Sequence, residues 1–321
     1  MKRVFFKITV LLCLFSLIFS GCSRGIGKSE NVAKINNREI SKSEFMLYLF
    51  EATQDFKSIG GNDIWDTDFD GQSAEELVKE RAFSALQNVI LTGQKAGFYG
   101  VKLTAEDKVL AKEEAEKELK SMTEDQKKAV GVSAEQMHQI MEDTFLYRKV
   151  YAEVIKGYQP SDMDFQAYFE QNKAGYADTY TEYTLKSILV KEEATAAEIV
   201  KKAKAGEDFQ KLFEQYELDK KEKETGGIIE TYKGHLESVF GMEFNLGPGE
   251  ISEPLKTNEG YFVLRVENKR LLEKEELSEM VKIEYTEMMK RQLFTNEFTR
   301  WTEEAKIEKN EEVWASIEMI K

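Results

Sequence analysis

The sequence has few of the residues that build disulfide bonds and metal sites. Its 321 residues include two cysteines and two histidines. Cys13 lies inside an N-terminal apolar run and Cys22 follows that run, so we expect no internal disulfide in the rest of the chain, whose stability must come from hydrophobic cores. His138 and His235 are isolated and have no cysteine near them, which excludes the common zinc patterns. We therefore expect neither a metal ion nor another cofactor.

Positive charge is also in the minority. The chain has 45 Lys and Arg against 59 Asp and Glu, which gives a formal net charge of −14. A surface of this sign repels phosphate groups and anionic lipids, so we expect no nucleic-acid partner and no electrostatic attachment to a membrane. The length predicts two domains, or one domain with an insertion, because single cores stop growing at about 250–300 residues.

One acidic stretch, residues 66–71, resembles the first half of a calcium-binding loop. Such a loop requires a bidentate glutamate at its twelfth position, which here is Leu77. The stretch instead predicts a turn, and Ser73 with Glu76 predicts a capping box at the start of the next helix. The turn and the cap account for these residues better than calcium does.

The N-terminus has the pattern of a secretory signal. Basic residues precede a mostly apolar run at residues 8–19, which is too short to span a hydrocarbon core of ~30 Å comfortably. We predict that residues 1–21 are removed and that residues 22–30 form a tether. The segment before Cys22 resembles the lipobox of bacterial lipoproteins. This resemblance implies that Cys22 carries a diacylglyceryl group and anchors the chain at the extracytoplasmic face of the cell membrane.

The region after the tether, residues 31–179, has apolar residues at helical spacing and is predicted to be mostly helical. It opens with a short hairpin around residues 36–37, and Ser41 with Glu44 predicts a capping box. This opening resembles the SurA/PrsA-type chaperone domain. The run at residues 305–308 resembles the closing strand of that family, which implies a cradle for unfolded clients formed by the N-terminal and C-terminal parts.

Residues 180–270 have the sequence pattern of a small α/β unit. β-rich runs at 183–190 and 260–266 are predicted to be strands, with two helices between them. They resemble a parvulin domain, a peptidyl-prolyl isomerase module. The matching landmarks are Ile188-Leu189-Val190, Ala205-Gly206 with Phe209, Asp219, Gly226-Gly227, Gly249 to Pro254 with Thr257, and Gly260-Tyr261.

From Glu273 onward the sequence predicts one long amphipathic helix, with Leu277, Val281 and Tyr285 on its apolar face. We expect this helix to pack on the N-terminal helices. The predicted fold class is therefore α+β. A mostly helical chaperone domain is split into an N-terminal half and a C-terminal half at residues 271–321, with a small α/β parvulin-like domain inserted between them.

The parvulin resemblance implies a substrate site. Rotation about an X-Pro bond must cross a barrier of roughly 20 kcal/mol, and a dry apolar pocket with hydrogen bonds to the twisted amide lowers it without a metal or nucleophile. In the family, two histidines and an Asp or Cys supply those hydrogen bonds. The resemblance places Asp219 at the acidic position, and Ser187 and Phe262 at the histidine positions. Predicted catalytic residues are Asp219 and Ser187; predicted substrate-binding residues are Leu236, Phe240, Phe244 and Phe262.

A phenylalanine cannot donate a hydrogen bond, so the polar floor of the family cannot form in its usual way. The leading hypothesis is a membrane-anchored foldase that binds unfolded or newly exported polypeptides and carries a degenerate parvulin domain. Two alternatives stay open at this point. One is an active peptidyl-prolyl cis-trans isomerase, and the other is a non-catalytic assembly lipoprotein with one dedicated partner.

Overall fold

The computed structural model describes residues 30–69, 71–218 and 226–320. The predicted signal, Cys22 and Asp219 lie outside these ranges. The chain divides into two compact units, of which the first contains residues up to Val154 and those from Glu297 onward. The second unit is Ile155–Asn296. Within the described ranges, no helix is long and apolar enough to cross a membrane.

Along the chain the elements form three groups. The first is mostly helical, the second contains the four-stranded sheet, and the last is dominated by one long helix. The first group is β1 (Asn31–Ile35), β2 (Arg38–Ser41), α1 (Lys42–Gly60), β3 (Asp68–Phe69), β4 (Gln72–Ser73), α2 (Ala74–Gln94), α3 (Ala105–Ser121), α4 (Glu124–Val130) and α5 (Ala134–Ile155). The second group is α6 (Asp162–Thr179), β5 (Glu182–Val190), α7 (Glu193–Lys204), α8 (Phe209–Tyr216), β6 (Ile228–Tyr232), α9 (Lys233–Phe240), β7 (Leu255–Lys256) and β8 (Tyr261–Arg270). The last group is α10 (Lys274–Glu304), β9 (Ile307–Lys309) and α11 (Glu311–Ala315).

The two predicted capping boxes have different outcomes. Ser73 and Glu76 form a complete box at the start of α2, as predicted. At the start of α1, the Ser41 hydroxyl accepts the Glu44 N–H at 3.2 Å. The Glu44 carboxylate instead accepts a hydrogen bond from Arg38 at 2.7 Å. Only half of the second box forms, because a buried carboxylate gains more from a charged donor than from a backbone amide.

The first unit closes through strands from opposite ends of the chain. β1 pairs with β2 on one edge and with β9 on the other, in the register Ala33 to Lys309. The closing strand predicted from the sequence is therefore present. The Trp314 ring of α11 lies 5.1 Å from the Phe45 ring and 5.5 Å from the Phe83 ring, between ring centroids. The last residues thus complete the core that α1 and α2 begin.

The second unit contains a sheet in the order β6-β5-β8-β7. Along β5, Tyr183 and Leu185 join one hydrophobic cluster, whereas Ile188 and Val190 join another. This alternation follows from the two-residue period of a strand. The cluster with Ile188 also contains the buried side chains of α7 and α8, so these helices cover that face of the sheet.

The long helix α10 is present as predicted, and its first half packs on a helix of the predicted N-terminal region. Leu277, Val281 and Tyr285 form a core with Phe165 and Phe169 of α6 inside the second unit. We expected α10 to pack on the N-terminal helices, and α6 lies within residues 31–179, which we predicted to contain them. The domain boundaries at residues 180 and 270 stay a prediction. The compact unit that contains both, Ile155–Asn296, extends beyond them on each side.

Candidate functional site in the second unit

The predicted apolar wall forms one cluster on the Tyr183 face of the sheet. Leu236 and Phe240 come from α9, Phe244 from the loop after it, and Phe262 from β8. The Phe240 and Phe262 rings lie 6.0 Å apart in an edge-to-face arrangement. Leu236 and Phe244 are buried, at 5% and 3% exposure, whereas Phe240 and Phe262 are partly open. A ligand on this face would therefore meet Phe240 and Phe262, with the other two residues behind them.

Ser187 lies on the same face of β5, opposite Leu264 of β8, and Leu189 is opposite Phe262. Ser187 and Phe262 are thus diagonal neighbours on adjacent strands. The Ser187 side chain is 2% exposed, and its hydroxyl donates to the Gly227 carbonyl at 3.5 Å. This geometry makes Ser187 a packing residue of the sheet, and its catalytic role stays a prediction. Asp219, the other predicted catalytic residue, lies outside the described residues.

A buried carboxylate that we did not predict lies close to these positions. Glu217 is 2% exposed and its Oε2 accepts the backbone N–H of Leu189 at 2.8 Å. The β5–β6 pairing ends at Lys186 and Ile228, so β5 extends beyond its partner on this edge. Glu217 supplies an acceptor where the ladder stops, which satisfies a backbone donor that would otherwise be buried alone. Nothing in the local sequence marks a loop glutamate for this role.

The helix that carries the wall is held by an ion pair. The Lys233 ammonium donates to both carboxylate oxygens of Asp178, at 2.8 and 2.7 Å, and its side chain is 6% exposed. The pKa of Lys233 is raised, chiefly because of the hydrogen bond to Asp178. Glu237, one turn further along α9, accepts the Phe244 N–H at 3.0 Å. These contacts place Leu236 and Phe244 against the sheet.

A glycine fixes the start of the strand that carries Phe262. Gly260 has a φ of 143°, and a Cβ atom there would lie 2.3 Å from the Val190 carbonyl oxygen. Any other residue would force β5 and β8 apart. The Gly260-Tyr261 landmark therefore has a steric reason, since only glycine fits this close to Val190.

The arrangement provides an apolar wall, partly open, on a rigid sheet. Within the described ranges, no group of three or more His, Cys, Asp or Glu side chains is placed to hold a metal ion. The chemistry available to these residues is the binding of an apolar side chain or a proline ring next to strand backbone. This is the kind of surface that recognises a segment of polypeptide.

Comparison with known proteins finds one matching domain family and several similar full-length proteins. Residues 160–281 match the PPIC-type PPIASE domain family. The foldase protein PrsA of Clostridium botulinum strain Langeland is 25% identical, over 94% of this chain and 96% of its own length. The PrsA of Caldanaerobacter subterraneus subsp. tengcongensis is 27% identical, over 81% of this chain and 82% of its own. A crystal structure of PrsA from Streptococcus pneumoniae aligns over 73% of this chain and 92% of its own, at 18% identity and a TM-score of 0.41.

The matched domain and its wall define a protein with a parvulin-type peptidyl-prolyl isomerase domain. The relatives match far beyond that domain, across both compact units. The chain is therefore similar to the PrsA foldases over nearly its whole length.

Proposed function

We propose that this protein is an extracytoplasmic foldase, held at the membrane by lipid on Cys22, that binds unfolded exported polypeptides and has little prolyl isomerase activity. Its relatives are named foldases, which supports the binding of non-native chains. The proposal of weak isomerase activity rests on the residues of the parvulin domain itself.

One observation carries that second part: among the described residues the apolar wall is assembled, but the two positions that hold histidines in the parvulin family are Ser187 and Phe262. Phe262 contributes a ring, and the Ser187 hydroxyl is directed at Gly227. An apolar wall binds the planar and the twisted amide about equally well. Acceleration requires groups that bind the twisted amide better. Such a domain would therefore hold proline-containing segments and accelerate their isomerisation only weakly.

The foldase proposal is tested by the protection of several unrelated clients. Full-length protein in nanodiscs is mixed with chemically unfolded clients of different sequence, and light scattering records their aggregation. We expect protection of most clients at near-stoichiometric ratios. Protection of none would refute the proposal, and stoichiometric capture of one partner would favour the dedicated assembly lipoprotein.

The anchor is tested by Cys22→Ala. A diacylglyceryl group carries two chains, and at ~0.8 kcal/mol per buried methylene this gives stable attachment. We expect the variant to leave the membrane fraction or to stay unprocessed, whereas Cys13→Ala, a matched change inside the predicted signal, should have no effect. Labelled fatty acid should be incorporated into the wild type and not into Cys22→Ala. Unchanged fractionation without label in the wild type would rule out the lipid anchor.

A further inference from the structure

A groove follows helix α1 in the first unit. Its two adjoining stretches have volumes of about 480 and 430 Å³ and share Tyr48 and Glu51 on α1. The walls come from three other helices, through Val89 of α2, Glu118 of α3 and Met141 of α5. All of these residues belong to one compact unit. The groove is therefore a feature of that unit alone.

The groove combines apolar walls with an open end. Tyr48 and Ile140 are buried at its base, and Val89 and Met141 are partly buried. At the far end of α1, Ile59 lines the second stretch and is 76% exposed. From Tyr48 to Ile59 the helix rises about 16 Å, which about five residues of extended chain would cover. The groove thus offers partly buried Val89 and Met141 along its walls and one exposed apolar side chain, Ile59, at its end.

Three carboxylates in this groove lack a counter-ion. Glu51, Asp55 and Glu118 have no ion-pair partner among the residues that the structure describes. Desolvation by burial, followed by repulsion from the carboxylates of Glu118 and Asp55, raises the pKa of Glu51 to about 7. Glu51 still reaches solvent, so a ligand can approach it.

The cations that face the groove are engaged elsewhere or lie to one side. Arg148 of α5 bonds both carboxylate oxygens of Glu114 at 3.2 Å. The guanidinium of Arg81 on α2 lies 5.4 Å from the centroid of the Phe56 ring. Lys117 of α3 lines the first stretch only. Together the two stretches are lined by four carboxylates and three cations, so the lining has one more carboxylate than cations.

We propose that this α1 groove is a client-binding surface, and that it selects extended segments in which Lys or Arg stands among apolar side chains. A basic residue of the client would lie at Glu51 and Glu118, with apolar neighbours against Met141 on one side and Ile59 on the other. The inference rests on the proposed binding of non-native chains and specifies which segments are bound. Acidic segments would be repelled by the same carboxylates.

The test uses three labelled ten-residue peptides of Leu and Ser that differ only at two central positions, which are Lys-Lys, Glu-Glu or Ser-Ser. Binding to the full-length protein in zwitterionic nanodiscs is followed by fluorescence anisotropy. We expect the wild type to prefer the Lys peptide over the Glu peptide by about tenfold, as two partly exposed ion pairs would give. Glu51→Lys with Glu118→Lys should reverse this order.

A matched control is available on α3. Glu113→Lys with Glu116→Lys changes the net charge equally at exposed positions outside the groove, and it should leave the order unchanged. Ile59→Ser should weaken all three peptides by a similar factor, because it removes apolar surface and no charge. An unchanged order in the groove variant, or an equal reversal in the α3 control, would overturn the inference.

The same variants separate this inference from the proposed function. If the wild type protects clients from aggregation but the groove variant keeps the wild-type peptide order, the α1 groove is wrong and the foldase proposal stands. If the wild type protects no client and binds no peptide, the foldase proposal fails and the inference fails with it. Melting curves of each variant confirm that its first unit remains folded.

Discussion

The two compact units differ in the sequence distance over which they close. In the first unit, the Asn36 N–H donates to the Lys306 carbonyl at 2.7 Å, and the Lys306 N–H donates to the Asn36 side chain at 2.9 Å. In the second unit, β5 pairs with β6 and β8, all within Glu182–Arg270. A split unit depends on its last residues, whereas the unit inserted into it contains its whole sheet. The following predictions test how independent the two units are.

The largest effect is expected from removal of residues 307–321. This deletion takes away β9 and the Trp314 ring, which packs on Phe45 and Phe83. We expect the first unit to lose its cooperative unfolding transition, because its sheet and core are both left open. Hydrogen exchange should show loss of protection in β1 and α1, with β5 and β8 still protected as an internal control. Full protection of α1 would mean that the first unit closes without its C-terminus.

A pair of substitutions on α10 sharpens the comparison, since each falls in a different unit. Trp301 is 2% exposed and its ring lies 5.9 Å from that of Tyr99 in the first unit. The Tyr285 ring lies 4.6 Å from that of Tyr168 in the second. Replacement by alanine should cost about 3–5 kcal/mol in each case. Segment-resolved hydrogen exchange should place each loss in its own unit, and equal losses in both units would contradict their independence.

A smaller effect is expected from Lys233→Met, which keeps the length of the side chain and removes its charge. Loss of the hydrogen bonds to Asp178 should cost about 1–3 kcal/mol in the second unit. Lys211→Met, at an exposed position of α8, serves as the control. Denaturant unfolding followed by hydrogen exchange measures both variants.

The pH dependence of this loss has a defined sign. Because the folded state raises the pKa of Lys233, the stability from the pair is present below the ordinary lysine value of 10.5. It is lost as the pH rises through the raised value. The difference between wild type and Lys233→Met should therefore be constant near neutral pH and narrow in alkaline solution. A difference that stays constant into strong alkali would assign the loss to packing.

The sequence predicted what depends on local pattern. The long helix α10 and the Ser73–Glu76 capping box follow from periodicity and a short motif, whereas the closing strand β9 and the apolar wall were implied by the family resemblance. The missed features depend on partners that are distant in sequence. Asp178 is paired with Lys233, and Glu217 accepts the N–H of Leu189. The sequence does not indicate which residue a lysine or a loop glutamate will contact. These two contacts could therefore be identified only in the structure.

The same limit applies to the site. The registers of β5 and β8 bring Ser187 and Phe262 onto one face, as the parvulin resemblance implies. The burial of the Ser187 hydroxyl against Gly227 could not be predicted, because it depends on where the chain returns after α8. The wall residues could be named because the parvulin resemblance places apolar residues at these positions, and their clustering agrees with the need to cover a sheet face.

The most direct test of the central claim is the rate of prolyl isomerisation in a proline-switch assay. The wild type is compared with Ser187→His/Phe262→His, whose imidazoles would lie at diagonal positions on one face of the sheet. Restored hydrogen bonds to the twisted amide should raise kcat/KM about ten- to a hundredfold, and client protection should not change. A wild type as fast as an intact parvulin measured beside it, with no gain from the two histidines, would contradict the account.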